Sequence, residues 1–84
     1  MRIEWRNKAR KQLKKLKDRA TIKRILDAVE RLELEPSNLD IKALSGHEYS
    51  HRLRVGNYRV LLNIDEVIEV AFVEEVKKRD DRTY

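Results

Sequence analysis

The stretch Ser45–Val60, SGHEYSHRLRVGNYRV, decides the fold because its second half adopts a hydrophobic period of two. Apolar and aromatic residues alternate with polar ones there, which is typical of β-strands. The pattern predicts one strand over Tyr49–Val55 and another over Tyr58–Ile64, separated by Gly56 and Asn57. Glycine at the first position of a two-residue loop favours a type II′ turn. The sequence therefore predicts a β-hairpin at this place.

The first half of the stretch, His47 to His51, matches the H-E-x-x-H motif of zinc proteases. That motif binds zinc only on a helix, which brings both histidines to one face. Gly46 precedes the motif and a strand follows it, and residues four apart on a strand lie roughly 13 Å from each other. The chain has no third histidine to complete such a site. We therefore expect no metal or cofactor, and interpret His47 as a turn residue and His51 as a residue at the core or its rim.

The predicted hairpin places three arginines together. A two-residue turn pairs Arg54 with Arg59, and Arg52 lies two positions along on the same face. Like charges directly opposite each other are unfavourable in a sheet, so this arrangement favours a binding site for an anion such as phosphate. The alternative is a solvated outer face whose arginines extend into water or pair with acids of the next strand. Those acids are Glu69, Glu74 and Glu75.

The rest of the pattern predicts an α+β fold. A short strand over Arg2–Trp5 is followed by two amphipathic helices, the first capped by Asn7 and the second beginning after Asp18 and ending before Pro36. A third antiparallel strand is expected from Val67 to about Val76. The expected order is an N-terminal strand, a helical hairpin and a three-stranded antiparallel sheet. The buried face of the second helix is predicted to comprise Ile22, Ile25, Leu26, Val29 and Leu32.

Composition indicates one small basic domain covering residues 1–84. Twenty lysines and arginines against fifteen acids give a net charge of +5, and 40% of the residues are hydrophobic. The chain contains no cysteine, which excludes a disulfide framework and thiolate chemistry. It shows no apolar stretch of the length of a signal peptide or a membrane span, so we expect a cytoplasmic protein without membrane contact.

The first helix carries a concentration of positive charge. Nine basic residues and a single acid, Asp18, occur from Lys8 to Arg24. We expect this face to bind the phosphates of ribosomal RNA, through Lys11, Lys14 and Lys15. The alternative is a solvated helix face that only aids solubility.

Two segments together resemble a known family. KALSGHEYSHRLRVGNYRVLLNID, from Lys42 to Asp65, and VIEVAFVEEVKKRDDRTY, from Val67 to Tyr84, are similar to the RelE branch of the RelE/ParE toxin superfamily of type II toxin–antitoxin systems. That branch shows a Lys-x-Leu-x-Gly turn, a YRLRVGDYRV-like hairpin and a closing segment with Lys-Arg and Tyr. The resemblance spans nearly the whole chain and implies a compact RelE-like microbial ribonuclease fold.

The resemblance also implies a function. Relatives of this kind are ribosome-dependent endoribonucleases that cut messenger RNA in the A site without metal and are neutralised by a cognate antitoxin. The family's functional positions fall on Arg59, Arg79 and Tyr84, which we predict to be catalytic. We assign substrate binding to Arg52, Arg54 and Lys78, together with the three lysines of the first helix.

Three functions are compatible with these expectations. The first is the messenger-RNA-cleaving toxin, with the ribosome, messenger RNA and an antitoxin as partners, and with DNA contacted only indirectly through the antitoxin complex. The second is a ParE-type inhibitor of DNA gyrase on the same fold. The third is a non-catalytic module that binds RNA or an antitoxin.

Overall fold

Two helices pack against one face of a five-stranded sheet in the computed structural model, which describes residues 1–34 and 38–79. The predicted α+β class is confirmed. The elements in chain order are β1 (Arg2–Trp5), α1 (Asn7–Lys15), α2 (Arg19–Leu34), β2 (Ile41–Ala43), β3 (His51–Val55), β4 (Tyr58–Asp65) and β5 (Val70–Lys78).

The sheet has the strand order β1-β5-β4-β3-β2. The predicted antiparallel pairing of β3, β4 and β5 is confirmed, and β1 joins the sheet parallel to β5. The strand β2, which pairs with β3, was not predicted. Its three residues are too few to produce a recognisable alternation of polar and apolar side chains.

The hairpin has the expected register, with Val55 opposite Tyr58. Gly56 has a φ of 57°, whereas the φ of Asn57 is not positive, which is the pattern of a type II′ turn. The strand β3 begins at His51, two residues later than predicted. At this point a side-chain hydrogen bond takes the place of regular backbone pairing: the Ser50 hydroxyl accepts a hydrogen bond from the Ile64 amide at 2.9 Å.

The turn between β4 and β5 corrects a second prediction. Val67 was expected to begin the last strand, but it lies in the turn with 93% of its surface exposed, and β5 begins at Val70. The Asp65 carboxylate accepts hydrogen bonds from the amides of Val67 and Ile68, at 3.0 and 3.3 Å. Glu69 completes the turn with a φ of 54°. Local turn chemistry thus overrides the strand propensity of the two β-branched residues.

The helix starts agree only partly with the sequence analysis. The helix α2 begins after Asp18 as predicted, and the Asp18 carboxylate caps it by accepting hydrogen bonds from the Ala20 amide at 3.0 Å and the Thr21 hydroxyl at 2.8 Å. The Thr21 bond is the main reason that the pKa of Asp18 is lowered. The predicted cap of α1 is wrong: Asn7 is the first helical residue, Arg6 occupies the N-cap position, and no side chain caps this end.

The core lies between the helices and one face of the sheet. It contains Ala9, Leu13, Ile25, Val29 and Leu32 from the helices and Leu53, Val60, Leu62, Val73 and Val76 from the sheet. Leu26 was predicted to be buried, but 44% of its surface is exposed. It borders a groove with Ile3 and Trp5 at the β1 edge, where the sheet ends and leaves the side chain uncovered.

The helix α1 covers the part of the β5 edge that β1 does not reach. The strand β1 pairs with β5 only as far as Val73. Beyond that point the Gln12 side-chain oxygen accepts a hydrogen bond from the Val76 amide at 2.7 Å. The Val76 amide at this buried edge of β5 is therefore hydrogen-bonded to a side chain from the helix rather than to the backbone of a neighbouring strand.

We predict that Gln12→Ala destabilises the protein by about 1–3 kcal/mol, because the substitution leaves the Val76 amide without its partner. Lys11→Ala is the matched control, since Lys11 is exposed on the same helix. Chemical denaturation followed by circular dichroism measures both free energies of unfolding. Equal values for the two variants would contradict the role assigned to Gln12.

Candidate active site on the open face of the sheet

The face of the sheet turned away from the helices carries a row of positive charges. Arg54 lies directly opposite Arg59, and Arg59 lies directly opposite Lys77 on the next strand. Arg52 is two positions from Arg54 and therefore projects from the same face. We call Arg52, Arg54, Arg59 and Lys77 the basic cluster. It confirms that the three arginines of the hairpin share a face, and it adds a lysine that the sequence analysis did not assign to the site.

Asp40 holds one end of the basic cluster. Its carboxylate lies 3.4 Å from an Arg52 terminal nitrogen and 3.8 Å from Arg54 Nε. Its carbonyl also accepts a hydrogen bond from the Arg54 amide at 2.9 Å. The Arg52 side chain is only 17% exposed and that of Arg54 37%. Both guanidinium groups are therefore held in place before any ligand binds, and their carboxylate partner is not one of the glutamates considered from sequence.

A buried carboxylate lies inside the same face. Glu75 is opposite Leu61 and only 5% exposed, and its side chain accepts hydrogen bonds from the Tyr49 hydroxyl and from Gln12. The ammonium groups of Lys8 and Lys77 lie 3.3 and 3.8 Å from its Oε1 atom. Glu75 thus ties the Tyr49 loop and α1 to the basic cluster.

These contacts determine the ionisation of Glu75 and Tyr49. Burial alone would raise the pKa of Glu75, but the hydrogen bonds from Tyr49, Gln12 and Lys8, together with nearby Lys77, lower it below its ordinary value. The hydrogen bond to Glu75 is the main reason that the pKa of Tyr49 is raised. At neutral pH the pair therefore consists of a carboxylate and a protonated phenol. Tyr49, which lies just before β3, donates the hydrogen bond of this pair.

Of the predicted catalytic residues, Arg59 lies on β4 within the basic cluster, and Arg79 directly follows the last residue of β5. The amide of Arg79 donates a hydrogen bond to the Asn57 carbonyl at 2.6 Å, so pairing with the hairpin continues as far as its turn. Tyr84 lies outside the described residues. Lys78 is opposite Tyr58, a residue that packs against the core, so its register position belongs to the helix-covered face.

The lysines of α1 border the open face. Lys11 and Lys15 are neighbours of Lys8 and Gln12 in the three-and-four-residue spacing of a helix, and those two residues reach Glu75. Lys14 lies on the other flank of the helix, about 120° from Lys8 and about 160° from Gln12 at the usual turn of an α-helix. All three predicted anchoring lysines are exposed.

The histidine motif has a local structural role. The His47 ring nitrogen Nδ1 accepts a hydrogen bond from the Tyr49 amide at 3.1 Å, which places His47 in a bend as predicted. The His51 ring lies 2.8 Å from the Ser50 hydroxyl and is opposite Leu62, on the core side. Within residues 1–34 and 38–79, no three histidine or carboxylate side chains are grouped so that they could hold a metal ion.

The far end of the open face has the opposite charge. A groove of about 560 Å³ there contains Asp65, Glu66 and Glu74 and a single arginine, Arg6. The Arg6 guanidinium lies 3.4 Å from Glu74 and 4.4 Å from the centre of the Phe72 ring. A phosphate chain would therefore be attracted to the hairpin end of the face and repelled from this end.

Comparison with known proteins identifies the family. Residues 3–81 match the sequence profile described as the ParE toxin of the type II toxin–antitoxin system parDE. The chain belongs to the RelE/ParE toxin superfamily. The predicted membership is confirmed, and this protein is a toxin of a type II toxin–antitoxin system. A search among curated protein sequences gives no match.

Solved structures of the superfamily are similar to this toxin throughout. A chain of the archaeal RelE–RelB complex from Pyrococcus horikoshii is 27% identical, with a TM-score of 0.79 over 95% of this chain and 96% of that chain. A chain of the RelBE2 toxin–antitoxin complex from Mycobacterium tuberculosis is 25% identical, with a TM-score of 0.77 over 93% and 96%. The RelB–RelE complex from Methanococcus jannaschii gives 26%, with a TM-score of 0.74 over 90% of both chains. No helix in the described part of the toxin is long and apolar enough to cross a membrane.

We predict that Glu75→Gln lowers the free energy of unfolding at pH 7 by on the order of 2 kcal/mol, because charge-assisted hydrogen bonds to a buried carboxylate are lost. The folded-state pKa of Glu75 is lowered, so its contribution is complete above the unfolded value of about 4.3 and is lost as the pH falls through the lower folded value. The difference between wild type and variant should therefore shrink towards low pH in denaturation experiments.

Glu74→Gln is the control for this experiment. Glu74 is the neighbouring residue at the bulge of β5, where it contacts Arg6 and Asn63 and is more exposed than Glu75. We expect a smaller loss of stability for this variant. A pH-independent difference between wild type and Glu75→Gln would show that the carboxylate is not the group responsible.

Proposed function

We propose that this toxin is a metal-independent, ribosome-dependent endoribonuclease that cleaves messenger RNA in the A site and so inhibits translation. The observation that carries the proposal is the row of cations across three strands, Arg54, Arg59 and Lys77, with Arg52 beside it. A sheet that places like charges opposite one another loses stability unless an anion compensates them. A phosphodiester group is an anion that fits planar guanidinium donors.

The proposed reaction is an internal phosphoryl transfer within the RNA. The ribose 2′-oxygen forms a bond to the adjacent phosphorus, and the bond from phosphorus to the 5′-oxygen of the next nucleotide breaks. The 2′-hydroxyl loses its proton and the leaving 5′-oxygen gains one, giving a 2′,3′-cyclic phosphate and a 5′-hydroxyl. Negative charge grows on the phosphoryl oxygens in the transition state, where Arg59 and Arg79 would stabilise it more strongly than in the ground state.

The environment of the described groups narrows the choice of proton acceptor. Tyr49 is a poor base because its pKa is raised and its hydroxyl is bonded to Glu75. The oxygens of Glu75 are buried and already accept hydrogen bonds. We therefore retain Tyr84 as the proposed proton-transfer or base-stacking residue; proton transfer at neutral pH would require cations that lower the pKa of its phenol.

The lysines of α1 are proposed to anchor the toxin on ribosomal RNA. Lys11, Lys14 and Lys15 are exposed, and none of them has an ion-pair partner within the described part of the chain. Such lysines are available for phosphate contacts, which orient a protein on RNA without taking part in chemistry. This arrangement separates anchoring on the helix from cleavage on the sheet.

A cognate antitoxin is the proposed protein partner, because the similar structures are toxin–antitoxin complexes. The net charge of +5 and the basic cluster favour an acidic segment of that antitoxin, which would cover the positive face. We propose that the toxin contacts DNA only indirectly, as part of the antitoxin complex, and that it acts in the cytoplasm.

Inhibition of DNA gyrase is the second candidate function, and the ParE description of the matching family profile favours it. The two candidates differ in their first effect on a cell. A gyrase inhibitor causes DNA damage while translation continues, whereas a messenger-RNA-cleaving toxin stops translation first. Pulse labelling of protein synthesis beside a DNA-damage reporter therefore separates them.

We predict that Arg59→Ala and Arg79→Ala each reduce single-turnover cleavage on programmed ribosomes by roughly two orders of magnitude. This is the loss expected when one positively charged hydrogen-bond donor to the transition state is removed. Ribosome binding should change much less. Arg19→Ala is the matched control because Arg19 is exposed on α2, away from the basic cluster.

Tyr84→Phe separates the two roles of Tyr84, since a large loss indicates proton transfer and a small loss indicates stacking.

The products provide a second check on this assignment. They should carry a 2′,3′-cyclic phosphate, and a chelator should leave cutting intact on ribosomes whose own magnesium is maintained. Wild-type cleavage rates in both arginine variants would exclude the proposed catalytic site.

We also predict that replacing Lys11, Lys14 and Lys15 together by alanine weakens ribosome association and flattens its dependence on salt. The variant makes fewer phosphate contacts, so fewer counterions are released when it binds. Cleavage should recover at high ribosome concentration, since the basic cluster remains formed. Sedimentation with ribosomes across a salt series measures the effect. Unchanged binding at physiological salt would mean that this helix face is only solvated surface.

A further inference from the structure

Four arginines surround the hairpin turn, and only three of them belong to the proposed active site. Arg54 and Arg59 flank the turn on its two strands, and the Arg79 amide bonds to Asn57 within it. The fourth, Arg24, comes from α2. Its guanidinium lies 3.3 to 3.5 Å from the point that a β-carbon on Gly56 would occupy, so the absence of a side chain at Gly56 allows Arg24 to lie against the turn.

A groove leads from this turn along α2. It has a volume of about 390 Å³ and lies between the helix and the Arg54 end of the hairpin. Arg24 and Arg31 line it seven residues apart, which is two helical turns, so both project from the same side of α2. Arg54 borders both this groove and the open face, which makes the positive surface continuous around the edge of the hairpin.

The charges in the groove leave cations available. Two carboxylates, Asp27 and Asp40, also line it. Asp40 is engaged by Arg52 and Arg54. In the part of the chain that the structure describes, neither Arg24 nor Arg31 has a carboxylate oxygen within 4.0 Å of its guanidinium nitrogens. Their donors therefore face the groove without an anionic partner.

We propose that this groove binds the backbone of single-stranded RNA next to the cleaved bond, with Arg24 and Arg31 as its phosphate ligands. The proposal rests on the proposed function, because it assumes that the strand held at the basic cluster is RNA. A strand that crosses the open face at its positive end meets the hairpin turn and then the groove. The acidic groove at the other end of the face excludes a path in the opposite direction. Arg24 and Arg31 thus orient the substrate and take no part in the chemistry.

The test measures binding of a fluorescent single-stranded RNA whose riboses are 2′-O-methylated, so that internal attack is blocked. Arg24→Gln combined with Arg31→Gln should weaken binding and reduce the slope of log affinity against log salt by about 1.4, or about 0.7 for each lost phosphate contact. Arg19→Gln with Lys23→Gln removes the same charge from α2 at positions roughly 100° to 140° around the helix from Arg24. This control pair should leave the slope unchanged.

The outcomes separate this proposal from the proposed function. An unchanged slope in the Arg24 and Arg31 variant, or equal losses in both double variants, overturns the groove as an RNA site. A reduced slope with a wild type that does not cut ribosome-bound message supports the groove and rejects the nuclease. Weaker binding of the cognate antitoxin with unaltered RNA binding assigns the groove to the antitoxin and overturns the proposal. A wild type that binds no single-stranded RNA overturns the groove as an RNA site, whereas cleavage on programmed ribosomes decides the proposed function separately.

Discussion

The two-residue turn at Gly56 and Asn57 sets the register on which the candidate site depends. Because the turn pairs Val55 with Tyr58, Arg54 must lie opposite Arg59, and a shift of one residue would send one of the two guanidinium groups into the core. The positive φ of Gly56 makes this short connection possible without strain. The same glycine leaves space for Arg24 beside the turn. One backbone conformation therefore governs the positions of charges contributed by several elements.

Two carboxylates make this concentration of positive charge compatible with a folded state. Asp40 holds Arg52 and Arg54 at one side of the face, and Glu75 lies near Lys77 at the other. Glu75 is buried, yet hydrogen bonds and nearby ammonium groups keep it ionised. Four cations against two anions leave the cluster with a net positive charge. That balance allows the protein to fold with its guanidinium groups held in place and still attract a phosphate.

The sheet also has a direction imposed by charge. The hairpin end of the open face is positive, and the end around Asp65, Glu66 and Glu74 is negative. The two ends are separated by the length of β4, about 23 Å at the usual rise of a strand. Lysines of α1 border this face, and arginines of α2 extend its positive end around the hairpin. A nucleic-acid strand would therefore meet positive charge from both helices and from the sheet.

The sequence by itself determined the hairpin, the two helices and the shared face of Arg52, Arg54 and Arg59. Those features depend on residues close together in the chain, where a period of two, a glycine in a tight turn and a capping aspartate are sufficient signals. Two local predictions are wrong. Val67 lies in a turn formed by Asp65, although its β-branched side chain favours a strand, and Asn7 is the first helical residue of α1 rather than its N-cap.

Only the tertiary structure decided the remaining partners of the site. Lys77 joins the basic cluster because a bulge in β5 sets the register of its end, and that register leaves Lys78 opposite Tyr58. Glu75 is ionised and buried because Gln12 and Tyr49 reach it from 63 and 26 residues away in the chain. Arg24 reaches the turn from another element. These contacts join distant parts of the chain, and no local periodicity records which strand edge a helix will cover.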